Sequence, residues 1–385
     1  MPQTQYLIDD YTWEKLLELT DGAAAVCFQC GVCTATCPWG LVKQEALSVR
    51  SYLRGAQVGI QKDNDNLWLC TTCAQCEAYC PRGVRITDVF RGLRYLTWEQ
   101  KHPHKGLSNL LWSVFWNNNP WEQPPSQRNK WGQNLNIPIF NPEQHEILYY
   151  VGCTASYDTR AQKIARSMVH LLNVAEVSFG TLGEDEPCSG EEVLSVGHTP
   201  YFREIANHCA QVFSDRGITH LITTDPHSYD VFQHHYPNSG RSNLLPHHYT
   251  QYFVNLLEDG RLQFNKPVER KITFHDPCYL SRHNSEIKAP RQVLDAIPGV
   301  ELVEMKNVGV DTLCCGGGGG RMWLETEVGE RFSDLRVKEA LECGADILAT
   351  ACPYCVTCLE DSLKSQGIQT LSVMDIAEIA ALALE

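Results

Sequence analysis

The chain has 385 residues, 43% hydrophobic and 20% charged, the balance of a globular protein of two or three domains rather than of a disordered one. A net charge of −14 argues against nucleic acid as the partner, no apolar run reaches the ~18 residues of a membrane-spanning helix, and the start lacks the basic-then-apolar layout of an export signal. The 18 cysteines, in a chain expected to stay in the cytoplasm, therefore point to metal rather than to disulfides.

In chain order, the first elements are two matching blocks. Cys27, Cys30, Cys33 and Cys37 precede Pro38, and Cys70, Cys73, Cys76 and Cys80 precede Pro81, both reading C-x2-C-x2-C-x3-C-P. Bacterial ferredoxins hold 4Fe-4S clusters with this run: three thiolates wrap one cluster from a tight loop, and the fourth reaches the neighbouring cluster. The expected sets are Cys27, Cys30, Cys33 with Cys80, and Cys70, Cys73, Cys76 with Cys37. Zinc is the competing reading, but its motifs favour separate C-x2-C pairs. Between the blocks, residues 41–68 space Leu and Val as a helix does, so residues 1–102 are expected to form a helical ferredoxin domain with two 4Fe-4S clusters. Residues 1–105 carry equal numbers of acidic and basic side chains, which leaves the whole net charge in 106–385. Arg82, Arg85, Arg91 and Arg94 follow the second block, either as a solvated face or as a surface for docking a partner.

Residues 103–145 are a Trp-rich linker. Trp112, Trp116, Trp121 and Trp131 gather there, and Leu110, Leu111 and Phe115 are expected on one helical face. Tryptophan is enriched at protein interfaces and membrane surfaces, so the alternatives are a docking face and packing within the chain.

The rest of the chain repeats itself, as a degenerate copy at 146–250 and an intact one at 251–385. The first copy runs ILYYVGC, EPCSG, HLITTDPHS and the second KITFHDPC, TLCCGGGGG, DILATACPYC, with helical stretches between. Cys278 and Cys314 are separated by 35 residues, and their counterparts Cys153 and Cys188 by 34. Short β-branched runs alternating with helices predict an α/β fold with parallel strands, whose carboxyl edge gathers the cysteines. Five thiolates then meet in the second copy, Cys278, Cys314, Cys315, Cys352 and Cys355, and the glycines 316–320 let backbone N–H groups approach the site. A phosphate loop is the rival reading of those glycines, but no Gly-Lys-Ser/Thr follows. In the first copy Ser189, Asp225 and Ser228 replace three of the five cysteines. Cys153 and Cys188 remain, able to hold zinc with His227 or Asp225, although scaffold is the default for a degenerate copy. Cys209, Cys343 and Cys358 read as buried structural thiols, with Cys358 close enough to Cys355 to stay in question. His234–His235 and His247–His248, lacking helical i, i+4 metal spacing, read as ordinary residues between the copies.

Two ferredoxin runs followed by C-x35-C-C-G and C-P-x-C resemble the cysteine-rich "CCG" family over roughly residues 20–360. Its members include the heterodisulfide reductase catalytic subunits, especially the fused ferredoxin–CCG form. They also include the iron–sulfur subunits of glycolate oxidase and anaerobic glycerol-3-phosphate dehydrogenase. The resemblance implies a non-cubane 4Fe-4S cluster on Cys278, Cys314, Cys315, Cys352 and Cys355, and no second one in the first copy. It also implies an iron–sulfur subunit of a multi-subunit oxidoreductase, moving electrons between the ferredoxin pair and the C-terminal cluster. With no flavin or nicotinamide fingerprint in the chain, the expected partner is a flavoprotein or a membrane quinone-reactive subunit, at the inner face of the membrane. The alternatives are disulfide reduction at the cluster, with Cys314 and Cys315 as catalytic ligands and His275, Arg282 and His283 as proton or anion-binding candidates, and a quinone-linked 2-hydroxy-acid or glycerol-3-phosphate dehydrogenase subunit.

Overall fold

The computed structural model describes residues 10–42, 47–60, 65–236, 243–327 and 329–384. The N-terminal module is helical, built on α1 (Asp10–Leu19), α2 (Val49–Gln57) and α3 (Ile86–Glu99). Helix α2 lies inside the stretch expected to be helical, of which residues 43–46 and 61–64 fall outside the described residues. Leu16, Leu53, Val89 and Phe90 bury the contacts among these helices, and each such burial contributes about 1.5–3 kcal/mol. Gly92 of α3 lets α1 approach, since a Cβ there would meet a Leu16 methyl at 2.8 Å.

Helix α4 (Ser108–Asn117) follows and divides the linker aromatics differently from the expectation. Leu110, Ser113 and Val114 form its buried face, while Trp112, Phe115 and Trp116 stand 60%, 59% and 71% exposed, packed edge to face on one another. Phe115 therefore lies away from Leu110. Trp121 packs on Trp323, and Trp131 is buried against Tyr149. Two of the four tryptophans thus pack within the chain and two face outward.

The two copies follow as two parallel four-stranded sheets. The first holds β1 (Ile147–Tyr150), α5 (Gln162–Val174), β2 (Phe179–Gly180), α6 (Thr199–Asp215), β3 (His220–Thr223), α7 (Pro226–His234) and β4 (Leu245–His248), in strand order β2-β1-β3-β4. Helix α8 (Tyr249–Glu258) leads to the second sheet. That sheet holds β5 (Arg270–His275), α9 (Lys288–Asp295), β6 (Val300–Leu302), α10 (Phe332–Glu342), β7 (Ile347–Thr350), α11 (Pro353–Gln366), β8 (Ser372–Asp375) and α12 (Ile376–Leu382), in order β6-β5-β7-β8. Strands β1 and β7 are buried along their whole length, as parallel strands covered on both faces must be. The expected α/β architecture with parallel strands is present in both copies. Each sheet also has a fourth strand that the pattern of three cysteine-bearing strands did not include, and His247 and His248 belong to the first of these rather than to a connection between the copies.

One apolar core runs through both sheets, and a second joins the N-terminal module to the first copy through Leu107, Leu110, Val193 and Val196. Among the described residues, no helix is long and apolar enough to cross a membrane.

Candidate metal centres

The two ferredoxin-type loops have the same backbone. Gln29 and Gly31 in the first, and Thr72 and Ala74 in the second, occupy equivalent positions, and all four have positive φ (66°, 89°, 51° and 58°). Three of them are not glycine, and each pays roughly 1–2 kcal/mol for that geometry. Alternating left-handed residues turn successive N–H groups to one side, making a concavity suited to an anion. One cavity is lined by Cys27, Cys30, Cys33 and Cys80, and a second by Cys37, Cys70, Cys73 and Cys76. The fourth cysteine of each block thus sits with the other block's three. Cys30 and Phe28 are exposed beside the first cavity, whereas Trp39, Phe90 and Phe332 wall the second. Burial pushes the Cys70 thiol up to about 11, so filling that site with metal releases protons at neutral pH.

In the second copy, β5, the Cys-Gly turn and the N-terminus of α11 converge. Cys278, Cys314, Cys315, Cys352 and Cys355 are all buried. Cys314 hydrogen-bonds Cys278 and Cys315, and Cys355 lies 3.3 Å from Cys315, sulfur to sulfur. Cys358 also bonds Cys315, so this thiol, first read as structural, borders the same group. Cys209 is buried in α6, and the Cys343 thiol donates to the Ala340 carbonyl of its own helix. A ring nitrogen of His275 and the sulfurs of Cys315 and Cys355 lie within 4.8 Å of one another, the one grouping of metal-ligand atoms found among the described residues. A cavity of about 220 Å³ borders Cys315 and Cys358 and is lined by Arg321, Arg331 and Asp361.

The ferredoxin loop 70–73 is seated directly on this centre. The thiols of Cys73 and Cys314 are hydrogen-bond partners. The glycine run serves this seat more than the thiols: a Cβ on Gly318 would stand 2.5 Å from the Thr71 carbonyl, and one on Gly319 would collide with that of Cys70. Only Gly316 and Gly317 face the thiol group, with the Gly316 N–H donating to Cys314 Sγ at 3.2 Å.

Arg282 donates to the Cys73 carbonyl at 2.6 Å, and His283 Nε2 bonds that of Thr72 at 2.8 Å. Both tie the loop down, the loop-bond alternative to proton supply. Arg94, fully buried, donates to the carbonyls of Cys70, Leu67, Ser195 and Gly319. Arg91 is buried as well, while Arg82 and Arg85 are exposed. Half of the expected basic docking surface therefore docks the chain onto itself.

The first copy is differently furnished. The Cys153 and Cys188 thiols are partners, and Arg128 donates to Cys153 Sγ at 3.2 Å and to Glu186 at 2.9 Å. Asp225 caps α7 and accepts from Ser228, which also bonds Ser189. His227 pairs with Glu191 at 3.1 Å and stacks on Tyr279, 3.8 Å between ring centroids. Burial pushes the Glu191 carboxyl up, but the His227 charge and hydrogen bonds from His227, Ser195 and Tyr279 outweigh it and hold it at about 2. Sequence reasoning missed this buried knot and the inward role of Arg94. The one signal for it was the acid pair Glu191–Glu192, which stands where the second copy has glycines.

Residues 147–229 and 272–360 match the family model "Cysteine-rich domain", and residues 23–84 match "4Fe-4S dicluster domain". The chain is 34% identical over 352 residues to the "Probable iron-sulfur-binding oxidoreductase FadF" of Bacillus subtilis, covering 89% of this chain and 50% of that protein. It is 28% identical over 438 residues to the "EtfAB:quinone oxidoreductase" of Syntrophomonas wolfei, covering 98% and 60%. The chain thus spans about half to three-fifths of the length of these two relatives. The D subunit of the dihydromethanophenazine:CoB--CoM heterodisulfide reductase of Methanosarcina barkeri is 30% identical over 393 residues, with 93% of each chain covered. With a dicluster match followed by two cysteine-rich matches, and a relative of this identity aligned nearly end to end, the chain belongs to the cysteine-rich-domain iron–sulfur proteins, the family that includes this heterodisulfide reductase component.

Proposed function

We propose that the chain is the electron-transferring iron–sulfur subunit of a larger oxidoreductase, with three redox sites in series. The Cys73–Cys314 contact carries this reading, because it joins the ligand loop of one expected site to that of the next. Cys27, Cys30, Cys33 and Cys80 would hold the outermost 4Fe-4S cluster, beside exposed Phe28. Cys37, Cys70, Cys73 and Cys76 would hold the middle one. Cys278, Cys314, Cys315, Cys352 and Cys355 would hold a non-cubane 4Fe-4S cluster, and the first repeat is scaffold. Such clusters, once bound, supply one-electron carriers whose potential follows from hydrogen bonds to sulfur and from burial. The chain's own part is to fix the order of the sites, wall the middle one with Trp39, Phe90 and Phe332, and bond the loops together through Arg94 and Arg282.

The ferredoxin domain (1–102), linker (103–145) and repeats (146–250, 251–385) form the proposed division. A flavoprotein or a membrane quinone-reactive subunit would complete the reaction, in line with the quinone named for one relative. The exposed Trp112, Phe115 and Trp116 of α4 suit contact with such a subunit or with a membrane surface.

The cavity against Cys315 and Cys358 favours one further reading, in which a substrate sulfur binds at the third site and a disulfide is reduced there. Electron paramagnetic resonance on anaerobically purified, dye-oxidised protein, with and without added thiol, separates the two. A signal that shifts with thiol and vanishes in Cys315→Ser, but persists in Cys153→Ser, assigns disulfide chemistry to the second repeat. Ferredoxin-type signals that appear only on reduction and ignore thiol assign a relay. Unchanged iron content in Cys315→Ser would sink both.

A further inference from the structure

His275 ends β5, three residues before Cys278, and is fully buried. Its Nδ1 lies 3.1 Å from Nε of Arg336, itself buried and held by the Asn307 carbonyl at 2.9 Å and by Glu339. A guanidinium nitrogen can only donate. Nδ1 must therefore be the accepting nitrogen, and the proton of the neutral ring sits on Nε2.

That Nε2–H finds no protein acceptor among the described residues. A buried donor left unpaired costs about 1–3 kcal/mol. The ring stands against the sulfurs of Cys315 and Cys355, in the one metal-type grouping among the described residues. The first repeat supplies the control. With Cys278 aligned on Cys153, His275 falls on Tyr150, and the strand registers agree: Tyr150 pairs with Thr223 as His275 pairs with Thr350. Tyr150 donates its hydroxyl to the Pro187 carbonyl of its own repeat. Where the cysteine set is lost, the unpaired donor is lost with it.

We propose that His275 donates a hydrogen bond from Nε2 to a sulfur of the iron–sulfur group held by Cys315 and Cys355, and that Arg336 is the positioning residue that fixes this tautomer. The proposal rests on the reading that the second-repeat thiols hold such a group. His275 is then not an iron ligand, because its lone pair is engaged by Arg336. A donor to sulfur stabilises the more negative, reduced state, so the pair raises the reduction potential of this site above what its thiolates alone would set.

The test uses the full chain, purified anaerobically, with iron and sulfide counted in the wild type and in Cys315→Ser. Equal counts would overturn the underlying reading and this proposal together. Where Cys315→Ser loses iron, potentiometric titration followed by electron paramagnetic resonance tests His275 alone. His275→Leu should keep its iron and titrate at a more negative midpoint, with His275→Gln, which retains an N–H, closer to the wild type. An unchanged midpoint in His275→Leu overturns the proposal, as does loss of this site's iron in both variants, which would make His275 a ligand. Pulsed resonance on wild-type protein labelled with ¹⁵N-histidine needs no variant. A weak nitrogen coupling with an exchangeable proton is expected. A strong, ligand-sized coupling, or none, overturns the assignment.

Discussion

The two cysteine-rich repeats share a parallel strand order and nearly the same spacing, yet equivalent positions do opposite work. At the carboxyl edge of the second sheet stand thiols, glycines and a histidine whose outward nitrogen is unpaired. At the same edge of the first stand Ser189, Asp225 and Ser228, bonded to one another, and an arginine on the surviving Cys153. Where the second repeat has Gly317 and Gly318, the first has Glu191 and Glu192, buried and turned into an ion pair with His227 and a bond from Tyr354. One repeat leaves its ligand-type groups facing one another, and the other bonds the residues at its replaced positions to one another. A fold duplicated in this way can keep its packing while only one copy keeps the chemistry, since strand and helix burial does not depend on what the edge holds.

The largest effect on stability is expected at the buried ion pair beside the first repeat's surviving Cys153. Arg128 and Glu186 are both almost fully buried, and Glu186 also accepts from the backbone N–H groups of Val151 and Gly152 at 2.9 Å. Arg128→Leu strands that carboxylate, at a cost of about 3–5 kcal/mol, and adding Glu186→Gln should recover part of it. In the second repeat Arg291 holds Asp276 through two bonds of 2.7 and 3.0 Å, but Arg291 is partly exposed, so water can replace it and Arg291→Leu should cost less. Denaturant unfolding of the three variants checks the ranking. Equal losses from Arg128→Leu and Arg291→Leu would mean that the two edges are held alike.

Next comes the seat of the ferredoxin loop, which only the second repeat provides. Gly319 has a φ of +65°, and its Cα faces the Cys70 carbonyl. Gly319→Ala must push that loop away, at about 1–3 kcal/mol for the overpacked contact. Each site should keep its iron, while electron transfer from a reduced dye through the ferredoxin module to the second repeat slows, as read by rapid mixing. Transfer at the wild-type rate would show that the loop contact is not the route between the sites.

What the sequence made legible divides along the same line. The ferredoxin blocks could be read because their ligands lie three residues apart, so that one loop holds most of a site and the spacing carries the geometry. The duplication could be read because the cysteines of the second copy, and the cysteines, serines and aspartate aligned with them in the first, recur at nearly the same spacing. The strands β4 and β8 were missed for a physical reason: both lie at sheet edges, and the first, LPHH, carries Pro246, which an edge strand tolerates and a pattern search rejects. What Arg94 and Gly318–Gly319 contact was also hidden. Their partners are carbonyls of loops up to 225 residues away, and a backbone oxygen leaves no mark in a sequence. Cys358 was ambiguous because a thiol one helical turn beyond Cys355 lies on the same face of α11, and only the position of Cys315 decides what that face meets.

The smallest expected effect concerns the residues that close the fourth strands. His248 and Asp375 stand at equivalent places, paired with Thr223 and Thr350, and each starts a helix, with a backbone N–H donating to Gln251 and Glu378 respectively. Burial, the largest cause at both, moves them in opposite senses. It lowers His248 to about 3, so the unfolded chain takes up a proton first as acidity rises, and the stability His248 contributes is present above pH 6.5 and lost as pH falls toward 3. It raises Asp375 to about 7, so the stability Asp375 contributes is present below 3.8 and lost as pH rises through 7. Between these limits each slope reaches at most about 1.4 kcal/mol per pH unit. Amide exchange of β4 and β8, corrected for the intrinsic pH dependence of exchange, should therefore run in opposite directions between about pH 5 and pH 7. Asp375→Asn, whose amide oxygen can still accept from Tyr249 and from the Ala377 N–H, should flatten the β8 profile, and His248→Gln the β4 profile. If one variant flattened both, the repeats would be opening as a single unit, which the contacts from His248 to the Ala351 carbonyl and from Tyr249 to Asp375 make the natural alternative.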